Sequence, residues 1–194
     1  SLHSSSPESG EVSWRQTNKM AGLREHLLLF DFDGVIAPTL EPSYRYASRF
    51  NPWLTRERYL RLFEGNIYKT SNHLQVGSNE GFWTHYAKQL LVLAPVQGIV
   101  EAIRELEARY SLIMISSSMT NPILEYLRRH DLEDHFVEVL AREAHQSKIE
   151  KMKMAFEKFN MGASDCLFIT DTLGDLREAN HMKVPAIAVT WGFH

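Results

Sequence analysis

LLLFDFDGVI, residues 27–36, runs four apolar residues into two acids separated by one phenylalanine, and then a glycine. The apolar run shows no two-residue alternation, which suits a strand covered on both faces. Asp31 and Asp33 then stand at the end of a buried strand, where carboxylates are costly without a partner.

Working outward, the same kind of run recurs. SLIMIS (111–116), FVEVL (136–140), CLFIT (166–170) and AIAVT (186–190) read as four more strands. Between them lie segments with apolar residues at helical spacing. GIVEAIRELEARY (98–110) repeats Ile99, Ala102, Ile103 and Leu106. NPILEYLRRH (121–130) reads as a helix with Asn121 as its cap and Pro122 in its first turn. KIEKMKMAFEKF (148–159) carries Ile149, Met152, Phe156 and Phe159 on one side, and LREANHM (176–182) is a short helix. Strand and helix alternating in this way predict an α/β fold with a parallel, doubly wound sheet.

Residues 38–94 break the alternation. PSYRYASRF, TRERYLRLFEG and NEGFWTHYAKQL are helix-like and aromatic-rich, with Pro38, Pro42 and Pro95 at their ends and Gly65, Gly77 and Gly81 marking loops. They predict a small helical insertion over the carboxyl end of the sheet, leaving 19–37 and 95–194 as the core. Residues 1–18 hold little apolar material and predict a disordered lead-in, with Trp14 able to tack it to the surface. The 194 residues suit one domain carrying such an insertion. A net charge of −3, from 21 basic and 24 acidic residues, offers no field for nucleic acid or anionic lipid. Cys166 is the only cysteine, so no disulfide forms within the chain and a reducing cytoplasm is expected. No apolar run is long enough for a bilayer, and the start lacks the order of a signal peptide.

In such a sheet, ligands bind outside the carboxyl ends of the strands. The first strand ends in Asp31-Phe32-Asp33-Gly34, the second in Ser116-Ser117-Ser118, and the fourth in Thr170-Asp171-Thr172-Leu173-Gly174-Asp175; Lys148 opens the helix between the third and fourth. Crowded carboxylates repel one another unless a divalent cation holds them. Oxygen ligands without His or Cys favour Mg²⁺, which pairs well with phosphate. Asp31, at the strand terminus, is placed to attack phosphorus and form an aspartyl phosphate. Asp33, in the loop, is placed to protonate the leaving oxygen and then to activate water. Ser116 can bond a phosphoryl oxygen, Lys148 can balance its charge, and Gly34 allows the backbone close to the ligand.

These residues resemble the four motifs of the haloacid dehalogenase (HAD) superfamily. DFDGVIAPT is similar to motif I, LIMISSS to motif II, SKIEKM to motif III, and FITDTLGDLREA to motif IV, with VPAIAVTWG similar to the strand and glycine that follow. The similarity spans roughly residues 26–192. The resemblance implies strand order 3-2-1-4-5 and a C1-type helical cap. It implies that Asp31 is nucleophile and metal ligand, that Asp33 is acid/base and binds metal through its carbonyl, and that Ser116 binds the phosphoryl group. Lys148 would stabilise nucleophile and phosphoryl charge, Asp171 would be a metal ligand, and Asp175 a ligand or its support. Ser117 stands where relatives carry Asn or another small residue. Two departures stand out: Thr170 replaces the usual glycine before Asp171, and the cap is short. The chain also stops at His194, where many relatives continue with a further strand and helix.

The implied activity is Mg²⁺-dependent hydrolysis of a small phosphorylated metabolite, by a monomer or homodimer. Two alternatives use the same residues: a phosphomutase of the beta-phosphoglucomutase type, and a non-catalytic phosphoryl-binding scaffold. Other residues read as structural. The histidines, among them His73, His85, His135, His145 and His181, show no metal spacing. Trp53, Phe63, Phe82, Trp83 and Tyr86 read as cap packing, Cys166 as core, and Lys151 and Lys153 as a solvated helix face. Arg45, Arg49 and Lys69 are the cap cations expected to meet an acidic substrate.

Overall fold

The computed structural model describes residues 24–75 and 79–194. The lead-in of residues 1–18, Trp14, residues 19–23 and Gly77 lie outside the described residues. Five strands, β1 (Leu27–Phe30), β2 (Ser111–Ile115), β3 (Phe136–Leu140), β4 (Cys166–Thr170) and β5 (Ala186–Ala188), form one parallel sheet in the order β3-β2-β1-β4-β5. β1 is central, in register with β2 at Leu27–Ser111 and with β4 at Leu27–Cys166.

The LLLF run is explained by this central place. Successive strand residues point to opposite faces, so a strand covered twice needs apolar residues at every position. Leu28 and Phe30 join one core with Ile103, Leu112, Met114, Ile123 and Tyr126. Leu27 and Leu29 join the other with Ile113, Ile115, Met152, Ala155 and Phe168. The same alternation continues past the strand. Phe32 is fully buried and packs edge-on against Tyr126 (5.2 Å), which turns Asp31 and Asp33 the other way.

The first helices all precede the return to the core. They are α1 (Leu40–Phe50), α2 (Arg56–Arg61), the four-residue α3 (Ile67–Thr70) and α4 (Asn79–Leu90). They lie between β1 and α5 (Ile99–Glu107), and the chain rejoins the core where Val96 N–H donates to Ile36 O at 2.9 Å. Gly81 falls inside α4 rather than in a loop, because helix α4 starts before it. The remaining helices are α6 (Thr120–Arg129), α7 (Lys148–Phe159) and α8 (Leu173–His181).

Three sequence expectations shift. α6 starts at Thr120, so its cap position falls two residues earlier than expected, on Met119 rather than Asn121. α8 begins three residues before LREANHM, capped by Thr172, whose hydroxyl accepts from Asp175 N–H at 3.2 Å. Asp175 is therefore inside the first turn. β5 pairs only with β4 and is exposed along all three residues, so it ends sooner than the apolar pattern suggests.

The helical insertion rests on α8. Its own small core of Leu40, Ala47, Leu54, Tyr59 and Leu62 is closed by Phe193 from the C-terminal segment, which meets Phe63 at 4.4 Å. Arg177 donates to Glu64 O, and Asn66 to the Glu178 carboxylate at 3.1 Å. Gly174 makes this approach possible: a Cβ there would lie 2.5 Å from Gly65 O and 2.8 Å from Phe63 O. Both obstacles are backbone, so Gly174→Ala must push the insertion off α8. Thermal and urea unfolding are expected to show a loss of about 1–3 kcal/mol, the usual cost of overpacking; unchanged stability would mean the two parts are not held this closely.

Candidate active site

Asp31 and Asp33 both line a cavity of about 270 Å³ between the insertion and the carboxyl end of the sheet. Lys148 and Asp175 reach it from α7 and α8, and Ser117 and Ser118 from the end of β2. Phe63, Phe82, Trp83 and Tyr86 of the insertion form much of its apolar wall. These aromatics thus pack and line the cavity at once, whereas Trp53 is on the surface, beside His73.

The two acids are held differently. Asp31 is buried; its Oδ2 lies 2.7 Å from Lys148 Nζ, and its Oδ1 accepts from Phe32 N–H at 2.7 Å. Lys148 Nζ also meets Asp175 Oδ2 at 2.6 Å, and Thr170 Oγ1 donates to the same oxygen at 2.8 Å. Among the described residues, the Asp33 carboxylate is held by hydroxyls alone. Thr39 and Tyr86 each donate to Oδ1 at 2.8 Å, and Ser118 donates to Oδ2 at 2.7 Å. Those hydroxyls come from the first loop, from α4 and from the end of β2, so Asp33 ties the insertion to the sheet.

Burial governs the charges. It pushes the Asp31 carboxyl well above the usual carboxylate range; Lys148 opposes this, while Asp175 and Asp171 add to it. Asp175 is also penalised by burial, but Lys148 and its hydrogen bonds prevail and hold it low. Burial opposes the charge of Lys148 as well, yet the pull of Asp175 and Asp31 keeps its ammonium more firmly protonated than usual.

Asp171 lies behind the cavity wall, 2% exposed. Oδ2 accepts from Phe193 N–H at 2.6 Å, while buried Oδ1 has no hydrogen-bond partner. Burial lifts this carboxyl to about 7, against the Phe193 N–H and Lys148. A buried carboxylate oxygen without a donor suits a cation ligand. Among the described residues no three or more His, Cys, Asp or Glu side chains are arranged to chelate a metal. The donors at hand are therefore the Asp31 and Asp171 carboxylates, with backbone oxygen and water to complete a shell. That set fits a hard cation that keeps its water.

Two expected residues stand elsewhere. Ser116 is fully buried just behind the wall, its Oγ accepting from Ser118 N–H at 3.0 Å. Gly34 does not line the cavity. It adopts φ +78°, and a Cβ on it would lie 1.9 Å from Asp171 Oδ2; Gly192 presses on the same carboxylate, at 2.2 Å. The close approach these glycines permit is to Asp171, not to a ligand.

Residues 28–189 match the model of the haloacid dehalogenase-like hydrolases. The chain belongs to this family. Solved structures of the same fold include a haloacid dehalogenase-like family hydrolase from Streptococcus pneumoniae, 15% identical, with 87% of this chain and 86% of that chain covered and a TM-score of 0.66. A predicted phosphoglycolate phosphatase from Haemophilus somnus is 16% identical, with 86% of each chain covered and a TM-score of 0.69. CbbY from Rhodobacter sphaeroides, solved in complex with phosphate, is 19% identical, with 87% of each covered and a TM-score of 0.69. No curated protein matches the sequence. At these identities the structural likeness carries the fold alone. No helix among the described residues is long and apolar enough to cross a membrane.

Several site residues of this HAD-like hydrolase escape sequence reasoning. Thr39 lies inside the DFDGVIAPT stretch and Ser118 in the serine run, but only the fold aims them at Asp33. Arg45, Arg49 and Lys69 are exposed and none lines the cavity; the basic residue that does, besides Lys148, is Arg142. Lys151 is not solvated. It is fully buried and its Nζ donates to Ser116 O. The signal was its spacing: three residues after Lys148 on α7, it shares that residue's face.

Burial, reinforced by Lys148, pulls the Lys151 amine down to about 7. Above that pH the folded chain has released a proton that the unfolded chain keeps up to the ordinary lysine value. Stability should therefore gain from Lys151 as pH rises through this window. Lys151→Met removes this gain. In urea unfolding from about pH 6 to about pH 10, wild type is expected to gain on the variant only above the folded value; parallel curves would overturn the depressed amine.

Proposed function

We propose that this HAD-like hydrolase is a Mg²⁺-dependent phosphatase that hydrolyses a small phosphate monoester through an aspartyl phosphate on Asp31. The observation that carries the reading is the unequal treatment of two acids in one cavity. Asp31 is gripped by an ammonium, which suits a carboxylate that must stay in place and attack. Asp33 is surrounded by rotatable hydroxyls, which suits a carboxyl that must give and take a proton. CbbY, which shares the fold, has also been solved with xylulose-(1,5)bisphosphate. The lone, buried Cys166 supports a reducing cytoplasm as its place of work.

In this reading the substrate's phosphoryl group enters between the sheet end and the aromatic wall. Asp31 attacks phosphorus, and Asp33 protonates the leaving oxygen. Asp33 then takes a proton from the water that releases phosphate. Lys148 offsets the charge of Asp31 and of the phosphoryl oxygens throughout. Ser117 and Ser118 offer hydrogen bonds at the cavity wall. Asp31, Asp171 and the Asp33 carbonyl would hold Mg²⁺, with Asp175 fixed behind them by Lys148 and Thr170. When bound, the cation supplies the positive charge that lets a carboxylate approach an anionic phosphoryl group.

The purified protein is expected to hydrolyse p-nitrophenyl phosphate in the presence of Mg²⁺. Asp31→Asn should lower kcat by about a thousandfold or more, as loss of a covalent nucleophile does. Chelation should abolish turnover and added Mg²⁺ restore it. A folded wild-type chain without any such activity would favour the scaffold reading.

A further inference from the structure

Arg142 lies in the loop between β3 and α7, and its side chain lines the same cavity. Its backbone N–H donates to Ser118 O at 2.9 Å, which anchors it beside the serine loop. The guanidinium carbon lies over two rings of the insertion, 5.6 Å from the centroid of Tyr68 and 5.0 Å from that of Trp83. Tyr68 is itself pinned to the core, its hydroxyl donating to Ser117 O.

The other charged groups of the cavity each have hydrogen-bond or ion-pair partners. Lys148 serves Asp31 and Asp175, three hydroxyls serve Asp33, and Glu178 accepts from Asn66 and from Lys148 N–H. Arg142 differs: its charge is felt by the Glu143 carboxylate, which is itself bonded to Thr120, but among the described residues its guanidinium has no carboxylate within ion-pair distance and no side-chain hydrogen bond. The half-buried guanidinium thus keeps its N–H donors available to a ligand in the cavity. Aromatic rings attract the cation but offer its N–H groups no lone-pair acceptor. Those N–H groups match a carboxylate or phosphate in two-point geometry.

We propose that Arg142 is a specificity-determining residue that binds a second anionic group of the substrate. The preferred substrates are then small phosphate monoesters carrying a carboxylate or another phosphate away from the reacting phosphoryl group. This rests on the phosphatase reading for what occupies the other end of the cavity. Because the clamp combines a core arginine with two rings of the insertion, such a substrate would also bridge the two parts.

The test uses hydrolysis-resistant probes, so that it does not depend on turnover. Binding of ω-carboxyalkylphosphonates and alkylene bisphosphonates to the full chain is measured by calorimetry with Mg²⁺ present. Each is compared with the methyl-terminated alkylphosphonate of the same length. For at least one length, wild type should bind the doubly anionic probe about tenfold or more tighter, the worth of one charge-assisted contact. Arg142→Met should erase that gap, and Arg142→Lys, which keeps charge but not the planar fork, should keep only part of it. Arg142→Gln gives a second neutral variant should the methionine protein fail to fold. A gap absent in wild type at every length, or one surviving in the neutral variants, overturns the role of Arg142 while leaving the phosphoryl site standing. If no alkylphosphonate binds at all, the phosphoryl site falls and this inference with it.

Discussion

Lys148 Nζ lies within 2.7 Å of both Asp31 and Asp175, and all three are almost wholly buried. The ends of β1, α7 and α8 meet at this ammonium. Burying three charges is costly, and the mutual attraction offsets that cost only with close geometry and further hydrogen bonds. Both conditions are met: Thr170 completes Asp175, and Phe32 N–H completes Asp31. Thr170, just before Asp171, therefore has a use in this chain. It supplies the hydroxyl that helps hold Asp175 ionised.

The grip leaves both Asp31 and Asp171 incompletely compensated. Asp171 is fixed through Oδ2 by Phe193 N–H and walled in by Gly34 and Gly192, yet its Oδ1 faces no donor. Its carboxyl and that of Asp31 are both raised, chiefly by burial. One divalent cation would relieve both, turning an electrostatic liability into a binding site. The same physics accounts for two glycines whose missing side chains make room for a carboxylate.

Above the acids, the helical insertion supplies both walls and connections. Tyr86 reaches Asp33, Tyr68 reaches Ser117, and Arg142 lies over Tyr68 and Trp83. Displacing the insertion would remove hydrogen bonds from the site itself. Gly174, where α8 touches Gly65 and Phe63, lies at this joint. Packing at the joint and chemistry in the cavity are thus coupled through a short stretch of α8.

The sequence by itself determined the α/β class, the five strands and the acids at their ends. These are local matters: a doubly covered strand needs unbroken apolar residues, and a polar group at its end is conspicuous against them. Asp31, Asp33 and Asp175 were legible for that reason and Lys148, at a helix start, only through the order of the motifs; all four line one cavity. What each group touches was not legible. Lys151 and Lys153 look alike along the chain, but one is buried under Ser116 and the other is in solvent. Arg142, in an ordinary loop, carries no local mark, whereas Arg45, Arg49 and Lys69 in the aromatic insertion drew attention and lie outside the cavity. Gly34 was legible as special, but not that its neighbour is Asp171. Contacts between residues a hundred positions apart are decided by how helices pack across the sheet, and no local pattern of residues encodes that distance.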